Sequence, residues 1–138
     1  MDEELSPNTV FAANSGFFLW EDGEYDAAIG YYEYAARRCE KHGLFRYGHY
    51  LILNGDKETG ICMIVLSALL KNEVALEWIP DDNVLNLISP KTIEEFATKS
   101  HSENDKFVKV TAINRISNRR ERDILLALMD QILLVKLS

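Results

Sequence analysis

Two pairs of glycines, set at one common interval, constrain this chain more than any other feature. Gly16 and Gly48 stand 32 residues apart, and so do Gly23 and Gly55. The surrounding chemistry recurs at the same offset: Leu19 with Leu51, Asp22 with Asn54, Ile29 with Ile61, and Ala36 with Ala68. All seven glycines lie at or before Gly60, so the matched pairs favour a duplicated unit over an ordinary helical bundle with coincident glycines. A unit of ~30 residues that recurs is one supersecondary element, which buries its apolar face by stacking on a copy.

The first copy, residues 9–42, reads as two helices around a tight turn at Glu21-Asp22-Gly23. Ser6-Pro7 is a helix-start pair, because Ser caps open amides and Pro suits the first turn. Phe11, Ala12, Ser15, Gly16 and Leu19 recur at three and four residues, which predicts a packed face. Asp22 is placed to cap the second helix, and Gly23 permits the reversal. Tyr25, Ala28, Ile29, Tyr32, Ala35 and Ala36 form the next packed stripe. Acids come early (Glu24, Asp26, Glu33) and bases late (Arg37, Arg38, Lys41), which suits the helix dipole. Small residues at Gly16, Ala28 and Ala35 let two helices approach closely, and the rings of Tyr25 and Tyr32 fill the gaps between them. In the second copy the set Ala28, Tyr32, Ala35 becomes Gly60, Ile64, Ser67, so 43–53 and 56–72 form a second hairpin.

This pattern resembles a tetratricopeptide repeat. Gly16 falls on the small residue of that family's first helix and Leu19 on its large residue one turn later. Gly23 and Tyr25 fall on the turn glycine and the first aromatic of the second helix. Ala28, Tyr32 and Ala35 match its Ala…aromatic…Ala series. Two positions depart from it: Ala12 replaces a preferred Trp, and Glu40 a closing Pro. The spacing is also slightly short against the family's usual ~34 residues, which suggests a trimmed turn near Lys41–Gly43.

The resemblance implies an all-α fold, a right-handed solenoid whose first helices line a groove that holds a segment of another protein. Carried onto this chain, the groove holds Val10, Ala13, Asn14, Phe17, Trp20 and Glu21 from the first copy. The second adds His42, Phe45, Arg46, His49, Ile52 and Leu53. Asn14, Phe17, Trp20, Phe45, Arg46 and His49 are its candidate contact residues. Members that clamp a carboxylate tail place Lys and Asn where Ala13 and Phe17 stand here, so a carboxylate clamp is not expected. An aromatic groove with Arg46 suits a peptide or an amphipathic helix. The alternative is that Phe17, Trp20 and Phe45 pack beneath the C-terminal helices.

From Ala75 the repeat fails, since Pro80 and Leu87 stand where further glycines would be. Residues 77–83 read as a loop, 84–88 as a helical turn, and Ser89-Pro90 as the start of a helix with Ile93, Phe96 and Ala97 inward. Residues 106–116 read as helix, with a strand over 107–113 as the alternative. Asn118 and Glu121 resemble a capping box. It opens a helix over 119–137 with apolar residues on two sides: Ile124, Leu125, Leu128, Ile132 and Val135 on one, Leu126, Met129, Leu133 and Leu137 on the other. Such a helix should be buried on both sides, either as a cap that closes the solenoid or against a partner, a second copy included. One domain of six or seven helices follows: repeats at 9–42 and 43–74 and a helical cap over 75–138.

Composition excludes several functions. The net charge of −7 argues against a nucleic-acid binder acting through overall charge. One basic stretch runs against that balance. Lys106, Lys109, Arg115, Arg119, Arg120 and Arg122 fall within seventeen residues that hold a single acid, Glu121. Arg115, Arg119, Arg120 and Arg122 are candidate contacts to phosphates or an anionic surface, or else a solvated face that balances the acidic first half. Two cysteines are too few for a disulfide framework. Cys39, His42, His49 and Cys62 match no usual zinc spacing, so no metal is expected. There is no glycine-rich phosphate loop, no Gly-x-Ser-x-Gly and no His-Glu-x-x-His, so neither catalysis nor a cofactor is expected. Met1-Asp2-Glu3-Glu4 is acidic where a signal peptide is basic, and no apolar run approaches the ~20 residues that span a bilayer. A cytoplasmic or nuclear adaptor or assembly factor is the expectation.

Overall fold

The computed structural model describes residues 7–99 and 111–137, and every regular element among them is helical. The helices are α1 (Pro7–Glu21), α2 (Tyr25–Ala36), α3 (Lys41–Leu53), α4 (Lys57–Leu69), α5 (Glu73–Leu76), α6 (Pro90–Lys99), α7 (Thr111–Asn114) and α8 (Arg119–Lys136), with a 3-10 turn at Asp82–Leu87 before α6. Adjacent helices pack as hairpins, α1 on α2, α2 on α3 and α3 on α4. Residues 107–110, the bulk of the strand alternative, lie outside the described residues, and Thr111–Asn114 is helical.

The interval of 32 residues governs the backbone as well as the side chains. Gly23 and Gly55 both turn with positive φ, at 81° and 99°. That left-handed region is open to glycine at no steric cost. The reversal then uses one residue more, so the cap falls later than Asp22 and Asn54. Glu24 precedes α2 and makes no side-chain cap, whereas Asp56 precedes α4 and accepts from Thr59 N at 3.3 Å. Asn54 instead closes α3, its amide donating to Tyr50 O at 2.8 Å. The next turn is matched too. Cys39 and Lys71 both adopt positive φ, 56° and 73°. After them, Glu40 accepts from Gly43 N at 2.7 Å to open α3, and Asn72 accepts from Val74 N at 3.1 Å to open α5. Helix α5 therefore starts where a third copy's first helix would start, 32 residues after Lys41. It stops after four residues. Ile79 precedes Pro80, which disfavours a helical conformation at Ile79, and Asp81 caps the following 3-10 turn through Asn83 N at 3.1 Å.

Close approach explains the helical glycines. A Cβ on Gly43 would stand 2.7 Å from both Ala35 Cβ and Ala36 N, and one on Gly48 would stand 2.8 Å from Gly60 O. So α3 crosses the end of α2 and then α4 with its own backbone, bare of a side chain, at the points of contact. Ser67 Oγ donates to Lys41 O at 2.6 Å, and Asn72 Nδ2 donates to the same carbonyl at 3.1 Å. These bonds pin the end of α4 to the start of α3.

The fully enclosed helix is α4, not α8. Every residue from Thr59 to Leu69 is buried. An apolar helix without a polar face demands this, and α3, α5, α6 and α8 supply the neighbours. By contrast, α8 buries only Leu125, Leu128, Met129 and Ile132, while Leu134 and Val135 are 71% and 65% exposed. It lies on the outside of α4, and both of its apolar sides reach the core: Leu125, Leu128 and Ile132 on one and Met129 on the other are buried, and Ile124, Leu126, Leu133 and Leu137 pack against them half-buried. The start of α8 is secured twice: Asn118 Oδ1 accepts from Glu121 N at 3.0 Å, and Glu121 Oε1 accepts from Ser89 N at 2.6 Å. Glu121 also accepts from Asn118 Nδ2 at 2.7 Å through Oε2, so it returns a bond to its cap residue through that side chain and joins the starts of α6 and α8.

The first hairpin is packed more thinly. Its own buried apolar cluster is Ala12, Ala13 and Ala35, outside the main core. Tyr32 is buried on Gly16, as the small-large alternation predicts. Phe11 and Tyr25 do not join it. They are 65% and 53% exposed, because alanine-lined helices approach too closely to leave room for those rings between them.

Candidate functional site

The six groove residues divide into an open half and a closed half. Asn14 and Phe17 are exposed, and Phe17 at 51% presents half its ring to solvent. Trp20, Arg46 and His49 are half-buried. Phe45 is buried at 6% and belongs to the main core. The cover over Phe45 is Trp78, from the loop after α5. Its ring meets Phe45 edge-on at 6.1 Å and His49 at 5.5 Å.

These residues form a continuous row. Trp20 packs edge-on against Tyr25 at 4.7 Å and Tyr32 at 6.5 Å. The Arg46 guanidinium lies 4.8 Å from the Trp20 ring centre and 5.6 Å from that of Phe45. Lys136 Nζ, at the end of α8, lies 5.7 Å from the Trp78 ring centre. A cation over a ring face is attracted by the ring quadrupole, so Arg46 ties α3 to α1 across the repeat boundary. Burial pushes the Tyr32 hydroxyl's pKa up, partly offset by the charge and hydrogen bond of Arg46. Burial and the Arg46 charge together push His49 down, which keeps its ring neutral at physiological pH.

The edge of this row is carboxylate-poor but not neutral. Glu40 is buried between α2 and α3, where His42 Nδ1 lies 2.6 Å from its Oε2. Burial pushes the Glu40 carboxyl up, but the hydrogen bonds from His42 and Gly43 outweigh it and hold it below the usual range. Its role is local: it opens α3.

A second apolar surface went unseen in the sequence. A groove of about 530 Å³ lies between α1 and α2, lined by Asn8, Phe11, Ala12, Ala27, Gly30, Tyr31 and Tyr34. Phe11 meets Tyr31 edge-on at 6.4 Å, and Arg38 lies 3.6 Å from the Tyr34 ring centre. The signal was the run Ala27, Gly30, Tyr31, Tyr34, Arg38 on one face of α2, opposite to the stripe that packs.

The basic stretch does not assemble on one helix. Lys106 and Lys109 lie outside the described residues. Arg115 follows α7, and Asn118 is extended at φ −75° and ψ 102°, so Arg115 does not share a helix face with Arg119 and Arg122. Arg119 and Arg120 line a shallow depression with Asp123, Ile124 and Ala127, and Arg122 lies 3.8 Å from Asp123. The carboxylate of Asp123 offsets part of the positive potential there.

Cys39, in the turn between α2 and α3, and Cys62, on α4, form no disulfide, and Cys39 Sγ donates to Ala97 O at 3.6 Å. Burial pushes each up to about 12, so both carry a proton at neutral pH. Among the described residues no cluster of three or more His, Cys, Asp or Glu could hold a metal ion. Among the same residues no helix is long and apolar enough to cross a membrane. No protein-family model, curated protein or solved structure matches this chain.

Proposed function

We propose that the protein is a non-catalytic binding module, built on two hairpins that resemble tetratricopeptide repeats, which takes a helical or extended segment of another protein on the open half of its aromatic row. One observation carries this reading: Phe17 is half exposed, one helical turn before Trp20, and the Arg46 guanidinium lies 4.8 Å from the Trp20 ring centre. A large ring left at the surface, one turn from a half-buried ring and cation, suits an interface anchor. The partner segment that suits it is apolar on one side, with a carboxylate to meet Arg46.

Affinity capture with the full chain tests the reading. Partners retained by the wild type should be lost with Phe17→Ala, and reduced with Arg46→Glu, while the helical circular-dichroism signal stays unchanged. Equal retention by all three proteins, equally folded, contradicts it.

A further inference from the structure

We propose that the outer face of the first hairpin pairs with the same face of a second copy of this chain, α2 against α2 in antiparallel sense, about a two-fold axis near Gly30 and Tyr31. The surface is formed by Phe11 and Phe18 on α1 and by Ala27, Gly30, Tyr31 and Tyr34 on α2. It adjoins the Phe17–Trp20 row, since Phe18 meets Phe17 edge-on at 5.6 Å, but its α2 residues lie outside that row and it does not depend on that row's function.

Gly30 is the first observation. It sits mid-helix, exposed, and a Cβ built on it meets nothing within 4 Å. Glycine weakens a helix interior relative to almost any other residue. Gly43, Gly48 and Gly60 each have a neighbour inside the chain that excludes a side chain and Gly16 has the Tyr32 ring 3.0 Å away, but Gly30 has none. A helix from outside, crossing α2 at Gly30, supplies the missing neighbour.

The shape of the face selects the occupant. A two-fold interface needs one patch that both projects and recedes, because each copy meets the same residues of the other. Phe11 and Phe18 project, each 65% exposed, and the Gly30 groove beside them recedes. The charge pattern selects a second copy again. Along one face of α2 and its flanks the order is Glu24, just before the helix, then Ala27, Tyr31, Tyr34, and Arg38, just after it and over the Tyr34 ring. Reversed, it keeps its small and aromatic centre and exchanges the signs of its ends. In an antiparallel pair Glu24 of each copy therefore faces Arg38 of the other, and the two Tyr31 rings meet at the axis.

The area is of the right order. Phe11, Phe18, Tyr31 and Tyr34 are 65%, 65%, 39% and 36% exposed, which for aromatic side chains amounts to about 400 Å² per copy. That is half of the ~800 Å² per partner that a stable interface buries, before the groove floor and flanking residues are added.

Sedimentation of the full chain is the test. At roughly 100 µM the species should have twice the single-chain mass of 15.8 kDa. Gly30→Gln should melt at or above the wild-type temperature, since it improves the helix and meets no neighbour, yet raise the dimer dissociation constant by about 100-fold or more. Glu24→Arg and Arg38→Glu should each weaken the dimer about fivefold, and the two together should recover it. A single-chain mass at that concentration overturns the proposal. So does a dimer indifferent to Gly30→Gln, or one lost with Val135→Asp and kept with Gly30→Gln, which would put the interface on α8.

Discussion

Phe17 and Phe45 occupy corresponding stretches of the first and third helices, yet their environments differ sharply. Phe45 is enclosed by Trp78 and the core, so truncating it leaves a cavity among close-packed neighbours. Urea denaturation should show Phe45→Ala losing about 3–5 kcal/mol, and Phe17→Ala under about 1 kcal/mol. Glu40 sets a second expectation at this scale. Its carboxyl titrates below the ordinary value of 4.5 in the folded chain, so it stabilises the fold above that pH. That contribution is lost as pH falls through and below 4.5, when protonation removes the acceptor for Gly43 N and His42. Stability measured against pH should fall on the acid side, and Glu40→Gln should flatten that limb. An unchanged acid limb in the variant would assign it to other carboxylates.

At the scale of elements, the glycine interval marks where backbones touch. Gly48 and Gly60 face one another across α3 and α4, and a methyl group on Gly60 would strike Gly48 O and the Ile52 side chain. Gly60→Ala should therefore destabilise the chain by about 1–3 kcal/mol in chemical denaturation, although alanine is the better helix former. The two hairpins and their turns were legible in the sequence because small residues at fixed spacing have one physical use there. Helix α5 was less so. Its start is encoded at Asn72 by a cap that matches Glu40, but only four helical residues follow before Trp78 and Pro80 end the pattern. The enclosure of α4 was not read from the sequence, whereas both apolar sides of α8 reach the core as expected, Val135 alone of their residues being exposed. Both helices are apolar on two sides, and periodicity alone does not say which one the others surround. Phe11 and Tyr25 were misplaced for a related reason: three- and four-residue spacing identifies a face, and the alanines on that face took the interior and left the rings outside.

At the scale of the whole molecule, packing is uneven. The core centres on α4 and gathers side chains from α3 through α8, whereas the first hairpin holds itself with alanines and Tyr32 on Gly16. Native-state amide exchange should show α1 opening at lower free energy than α4, whose amides should exchange only with global unfolding. Uniform protection across the two helices would contradict this gradient. The candidate site falls on the seam between these regions, with Phe17 and Trp20 on the lightly packed hairpin and Arg46, Phe45 and His49 on the rigid one. Of the six candidate contacts, Asn14 and Phe17 are exposed and Trp20, Arg46 and His49 are half-buried. Phe45 is buried, because its cover, Trp78, comes from a loop that no repeat register foretells. The central claim is that the open half of this row is where another protein docks. Its most direct measurement is the amount of partner retained by Phe17→Ala relative to the wild type, at equal concentrations of folded protein. The account predicts a loss of about tenfold or more; retention equal to the wild type contradicts it.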